Sequence, residues 1–207
     1  MSLTVLEPGL YSLVVDAGRP GSRGLGVPLG GAADRAALAL GNGLVGNPPD
    51  TAALEVSLSG PTLRAECDLG AVVFGAPFRL VHDRRPLTVG TTFVWKAGEV
   101  LRIAGTPAGM RAYLCVGGGF AGPVRLGSRS GLEPVKAGDV LACAASRVPV
   151  RRLPEEVTAE WSATPAGCVL RTLDGPQADW FDPARFWGPT WTVLPASNRM
   201  GLRLDGG

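Results

Sequence analysis

The sequence predicts a mainly β fold, a barrel or sandwich of short strands, with one short helix and an incomplete second β unit at the end. Three observations carry this. Apolar runs with strict alternation recur along the chain. Turn formers separate them: 30 glycines and 18 prolines stand among 207 residues, about twice the usual ~12% share. The hydrophobic fraction of 45% is that of a folded chain.

Leu10–Val15 is the first strand candidate. A glycine- and proline-rich stretch follows, Asp16 to Pro61, too poor in large apolar residues to build a core by itself. One helix is embedded in it, Ala33 to Val45, where Ala37, Leu40 and Leu44 share a stripe and Asp34 suits the positive end of the dipole. Gly46-Asn47-Pro48 stops that helix. Gly41 and Gly43 inside it cost ~1 kcal/mol each against alanine, which predicts a close neighbour or irregular last turns. Ala53–Leu58 alternates, with Leu54, Val56 and Leu58 on one face and Glu55 and Ser57 on the other, so Glu55 is expected at the surface. After the Gly60-Pro61 break, Thr62–Glu66, Ala71–Phe74, Phe78–Val81, Thr91–Trp95, Val100–Ala104, Arg111–Val116 and Val140–Ala144 follow at sandwich or barrel intervals. Lys96-Ala97-Gly98-Glu99-Val100-Leu101 and Lys136-Ala137-Gly138-Asp139-Val140-Leu141 repeat one turn that leads into a strand. Residues 1–146 therefore form a first, barrel-like domain. Residues 147–167 are polar and aperiodic and read as a surface connector. Residues 168–207 begin a second β unit, whose five aromatics between Trp180 and Trp191 need cover from the first domain or from another copy.

The formal net charge is only +2, and no basic stripe interleaves with aromatics, which excludes a nucleic-acid binder. The N-terminus lacks a charged region followed by an apolar run, so no signal peptide is expected. Leu69 to Phe78 falls far short of the ~20 apolar residues of a membrane span. Cys67, Cys115, Cys143 and Cys168 have no C-x-x-C spacing, which predicts free thiols in a reducing, cytoplasmic setting and no metal site. All but two of the 20 basic residues are arginine. The two lysines, Lys96 and Lys136, open turns and suit neither covalent biotin nor a Schiff base.

Chemistry has few candidates. No G-x-x-x-x-G-K-(S/T) loop exists. Gly21-Ser22-Arg23-Gly24-Leu25-Gly26 is either an anion nest of backbone amides or an irregular turn. Gly127-Ser128-Arg129-Ser130-Gly131 has arginine where a nucleophile elbow needs serine. The sole histidine, His82, reads as part of a solvated hairpin turn, which removes a Ser-His-Asp triad. Asp34 is a helix start. Asp16 is either an Asx turn or, with Arg19 three residues on, half of a pair that aims a fork into a cleft. Arg199 and Arg203 share a strand face, as an anion clamp or a solvated edge.

Several blocks resemble, in order, the C-subunit family of 5-oxoprolinase, also called allophanate hydrolase subunit 2 or KipA-like and related to biotin-dependent carboxyltransferases. They are Asp16-Ala17-Gly18-Arg19-Pro20-Gly21, Gly31-Ala32-Ala33-Asp34 through Leu38, Gly46-Asn47 through Ala53-Leu54-Glu55, Arg111-Ala112-Tyr113-Leu114, Leu126-Gly127-Ser128-Arg129-Ser130, Gly175-Pro176-Gln177-Ala178-Asp179-Trp180-Phe181 and Ser197-Asn198-Arg199-Met200-Gly201-Leu202-Arg203-Leu204. Val15, Ala17, Phe74 and Asn198 depart from the family's usual residues. Family members continue past this point, so the chain reads as C-terminally truncated. The resemblance implies a cyclophilin-like β-barrel and one component of an ATP-dependent 5-oxoprolinase that opens a small lactam. The partner would be a B-subunit-like protein (allophanate hydrolase subunit 1, KipI-like), and a second copy of the chain is a further candidate partner. ATP would be shared with that partner. Alternatives are a biotin-dependent carboxyltransferase module of the urea type and a non-catalytic regulatory subunit. Asp16 and Arg19 are then the catalytic candidates. Arg19, Gly21, Arg23, Ser128, Arg129, Arg199 and Arg203 are the substrate- or anion-binding ones, stabilising an amide oxygen as it gains charge.

Overall fold

Two antiparallel sheets face each other across a core, and one helix covers the outer side of the smaller sheet. A computed structural model describes residues 1–162, 169, 171–197 and 201–206. It divides into Met1–Thr164 and Pro165–Gly207. In the first unit, β1 (Ser2–Glu7), β4 (Thr62–Ala65), β6 (Leu80–His82), β7 (Arg85–Leu87), β9 (Val100–Ile103) and β11 (Val140–Ala142) form a six-stranded sheet in the order β11-β1-β4-β9-β6-β7. β2 (Tyr11–Val15), β3 (Ala53–Ser57), β5 (Leu69–Gly75), β8 (Phe93–Trp95) and β10 (Arg111–Val116) form the other, ordered β2-β3-β10-β5-β8. The sheets are not closed into a barrel; each keeps two edges. The mainly β reading holds in its sandwich form.

The central strands are buried on both faces, and their sequence shows why. Leu69, Ala71 and Val73 of β5 and Ala112, Leu114 and Val116 of β10 point between the sheets, onto Leu3, Val5, Leu63, Leu101 and Ile103. The alternate residues Val72, Phe74, Tyr113 and Cys115 point outward onto α1 (Arg35–Leu44). A strand sandwiched this way is apolar at every position. Glu55 on β3 corrects the alternation argument: it is 1% exposed, because α1 and the loop before it cover the face that alternation assigned to solvent.

α1 is capped by Asp34, whose carboxylate accepts from the Ala37 amide at 2.9 Å. Its buried stripe is Ala37, Leu38, Gly41, Asn42 and Leu44, while Leu40 is exposed. The stripe is thus turned from the expected 37/40/44 line. Gly41 provides the reason, since a Cβ there would stand 2.8 Å from Cys115 Sγ. After the helix, Asn47 Nδ2 donates to Asn42 Oδ1 and to the Val116 carbonyl, while its own Oδ1 accepts from the Gly118 amide. That asparagine therefore ties the helix exit to the end of β10.

The repeated lysine–glycine turns share one geometry. The Lys96 and Lys136 amides each donate at 2.8 Å to the acid three residues on, and Gly98 and Gly138 have φ of 86° and 87°. Gly98 docks on Ala65 of β4, Gly138 on Val5 of β1. The stretch after β11 contributes to the first unit as well: Val148 is buried, and Trp161 of α2 (Glu155–Ser162) lies 5.4 Å from Phe74 ring to ring. The second unit holds α3 (Pro183–Trp187) and a two-stranded ribbon, β12 (Thr192–Val193) with β13 (Leu204–Asp205). Helices α2 and α3 add to the one helix expected. Met200, at the start of the expected last strand, lies outside the described residues.

Candidate functional site

Directly after β2 the chain turns at Asp16, whose Oδ1 accepts from the Gly18 amide at 2.8 Å. Segment 29–32 returns against this turn: Arg19 N–H donates to the Leu29 carbonyl and Ala32 N–H to the Asp16 carbonyl. The two backbones lie so close that a Cβ at Gly18 would sit 2.4 Å from the Leu29 oxygen, and one at Gly31 2.6 Å from the Gly18 nitrogen. Both glycines also have positive φ. Only glycine satisfies both demands.

The Asp16 side chain then gathers a distant loop. Its Oδ1 accepts from Ser128 Oγ at 2.5 Å and Ser130 Oγ at 2.6 Å, and its Oδ2 from the Arg129 amide at 2.5 Å. Burial by itself raises the carboxyl's pKa; the Ser128 and Ser130 hydroxyls and the Arg129 and Gly18 amides outweigh it and hold Asp16 below its ordinary value. Asp16 is therefore held as an anion, its Oδ1 accepting three hydrogen bonds and its Oδ2 one.

Arg19 is 6% exposed. Its Nε donates to the Arg125 carbonyl at 3.2 Å and its Nη2 to the Ser130 carbonyl at 2.5 Å. No ion pair joins it to Asp16, and among the described residues none of Arg19, Arg23, Arg35, Arg125 and Arg129 has a carboxylate ion-pair partner. A buried guanidinium held only by carbonyls keeps its charge unneutralised, which is costly unless an anion arrives.

A second cluster adjoins the first through Ala32. Tyr113 OH donates to Glu55 Oε2 at 2.9 Å and accepts from the Asp34 amide at 2.8 Å, and Ala33 N–H donates to the same Oε2. Arg111 Nε stands 3.5 Å from Glu55 Oε1. Desolvation first, and the Glu55 charge next, push the Tyr113 phenol far above its ordinary pKa, so it stays a neutral donor.

Asp16, Arg19, Ser128 and Arg129 therefore come together. Gly21 and Arg23 lie on the adjoining turn, both exposed, with Arg23 opening a 3-10 turn over Arg23–Leu25. Arg203 is exposed in the second unit, and Arg199 lies outside the described residues. His82 departs from its expected place. It is the last residue of β6, bonded to Glu99 at 3.0 Å, and the turn itself is Asp83–Arg84. Sequence reasoning missed Ser130, Tyr113 and Gly30; the S-R-S and R-A-Y-L blocks were the available signals. Two surface hollows lie elsewhere, one of about 180 Å³ beside Glu7, Thr62 and Arg102 and one of about 500 Å³ beside Phe78, Leu87 and Thr158. Neither gathers buried charge, so the Asp16–Arg19 junction is the candidate site. Among the described residues no group of three or more His, Cys, Asp or Glu is placed to hold a metal, and no helix is long and apolar enough to cross a membrane.

Residues 25–207 match the family described as carboxyltransferase domain, subdomain A and B, which sets the class as a carboxyltransferase-type β domain. Within that class, the chain belongs to the 5-oxoprolinase C-subunit family. It is 35% identical to that protein of Escherichia coli strain K12 and 32% identical to that of Haemophilus influenzae, in each case over 99% of this chain and 68% of the relative. Urea amidolyase of Saccharomyces cerevisiae is 29% identical over 99% of this chain and 12% of its own length. Among solved structures, TTHA0988 superposes with a TM-score of 0.81 at 34% identity, over 98% of this chain and 42% of that one. Kluyveromyces lactis urea carboxylase gives 0.79 at 27%, over 100% of this chain and 20% of that one. The chain thus spans about two thirds of the bacterial relatives and less than half of TTHA0988.

Proposed function

We propose that the chain is one component of an ATP-dependent, 5-oxoprolinase-type amidohydrolase that receives a small lactam and works with a B-subunit-like partner. The observation that carries this is Arg19: a buried, rigidly held cation with no carboxylate partner among the described residues, in a chain 35% identical to a 5-oxoprolinase C subunit. Arg19 is read as the residue that meets the anionic substrate, with Arg129 and Arg23 as exposed charges drawing it in. Asp16 is read as a positioning residue. Its anion fixes residues 128–130, and the Ser130 carbonyl in turn fixes the Arg19 fork. Four framework donors and a lowered pKa stabilise Asp16 as an anion, which disfavours it as a proton carrier.

ATP is assigned to the partner side. The Leu25, Gly26 and Val27 amides donate to the Ser22 and Arg23 carbonyls, so that turn offers few free donors to a triphosphate. Both lysines are exposed and open the turns that lead into β9 and β11. The described residues of this chain alone therefore do not fit a triphosphate.

The test is reconstitution. The chain is mixed with proteins of the A-subunit and B-subunit types, and glutamate release is followed with ATP and 5-oxoproline, each omitted in turn. Release that needs this chain supports the reading. Release without it, or turnover that instead needs carboxybiotin, contradicts it and favours the urea-carboxylase type of chemistry.

A further inference from the structure

We infer that Arg19 and Gly30 form a subsite for a planar carboxylate, with Gly30 as the residue that keeps it open; this rests on the small-substrate reading above. The guanidinium has two edges able to grip an acid in bidentate fashion. The side edge, Nε–H with Nη2–H, is taken by the Arg125 and Ser130 carbonyls. The end edge, Nη1 with the second Nη2 proton, remains. Nη1 has no hydrogen-bond partner among the described residues and is not sealed from solvent. Over it lies Gly30, exposed at the surface with φ of 61°, and a Cβ there would stand 3.3 Å from Nη1. A side chain at position 30 would crowd the one free edge of a cation that is otherwise buried.

Charge selects the ligand. One arginine neutralises one negative charge. Paired with Arg19 alone, a monoanionic carboxylate leaves no net charge, whereas a phosphate dianion leaves one negative charge. An uncharged lactam oxygen would satisfy a hydrogen bond but not the charge. In 5-oxoproline, then, Arg19 grips the carboxylate, not the ring amide, and acts as the specificity determinant for acids.

Gly26 is a built-in control. It has φ of 75°, close to that of Gly30, but a Cβ there meets nothing within 4 Å. Gly26→Ala and Gly30→Ala thus share the backbone strain and differ in whether Nη1 is crowded. Calorimetric titration of the intact chain with acetate, inorganic phosphate, 5-oxoproline and 2-pyrrolidinone, the same lactam without its acid, reads both claims. Acetate and 5-oxoproline should bind wild type and Gly26→Ala alike and bind Gly30→Ala about tenfold more weakly or worse, the scale of one charge-assisted contact. Phosphate should compete weakly and pyrrolidinone not at all. Should Gly30→Ala fail to fold, the Arg19 Nη–H resonances of wild type, followed during acetate titration, report whether acetate reaches the end edge. Acetate binding without 5-oxoproline binding would leave the subsite standing and remove the lactam reading. Unchanged binding in Gly30→Ala, a preference for phosphate, no shift at Arg19, or equal competition by pyrrolidinone would overturn the subsite.

Discussion

Asp16 is one carboxylate that organises two loops more than a hundred residues apart in sequence, and its removal has a definite expected cost. Asp16→Asn removes the charge and, with its oxygen in the place of Oδ1, sets an amide NH₂ against the Arg129 N–H donor. Losing charge-assisted bonds of this kind costs about 2–3 kcal/mol, so thermal unfolding should show a clear drop in Tm; an unchanged Tm would remove the positioning role. The pH dependence follows from the direction of the shift. Because the folded pKa lies below the ordinary 3.8, the unfolded chain takes up the proton first. This contribution is complete above 3.8 and disappears as pH falls through the folded value. Urea midpoints measured from about pH 6 down to about pH 2 should converge for wild type and Asp16→Asn at the acid end, and parallel curves would contradict it. At this scale the sequence was partly legible. A D-x-G-R-P-G turn announces itself through its glycines, whereas its partners Ser128 and Ser130 are joined to it only by the fold. Glu55 was misread because strand alternation cannot see a helix laid over the outer face.

Helix α1 shows both what local pattern reveals and where it stops. Its span, its Asp34 cap and its Gly46-Asn47 stop follow from propensity and capping, because those are local interactions. Its facing does not, since Leu40 and Gly41 exchange places once Cys115 and Phe74 of the neighbouring strands are present. The two internal glycines consequently separate. Gly41→Ala gains helix propensity but places a methyl 2.8 Å from Cys115 Sγ, so it should destabilise. Gly43 is exposed with nothing within 4 Å of its missing Cβ, so Gly43→Ala should stabilise by up to about 1 kcal/mol. Denaturant midpoints for the two variants check this, and shifts of the same sign would show that backbone freedom, not packing, sets the helix. The duplicated lysine–glycine turn was legible for the same local reason. The β1 strand is absent from the strands read from the sequence, although Leu3 and Val5 alternate inward.

Across the whole molecule, every buried described residue lies between Leu3 and Val148, while Trp180, Phe181 and Trp187 of the second unit are 76%, 69% and 64% exposed. Residues 1–164 should therefore keep a cooperative transition without the remainder, and a fragment that is unfolded by circular dichroism would show that the core extends further. The exposed aromatics form the kind of surface that a partner covers, and adding a B-subunit-like protein should shift their tryptophan emission to the blue; an unchanged spectrum would place the contact elsewhere. The sandwich and its class were legible because turn spacing and alternation are repeated many times over. The site was less so, because a hydrogen-bond network that spans the chain leaves only scattered motifs in sequence. The most direct measurement is glutamate release by the reconstituted assembly carrying Arg19→Lys, which keeps the charge but loses the planar fork. If Arg19 grips the substrate's acid, KM for 5-oxoproline rises about tenfold or more while the assembly still forms, even though Tm falls as the Arg125 and Ser130 carbonyls lose their donors. Wild-type KM in an assembled, active Arg19→Lys complex would contradict the assignment.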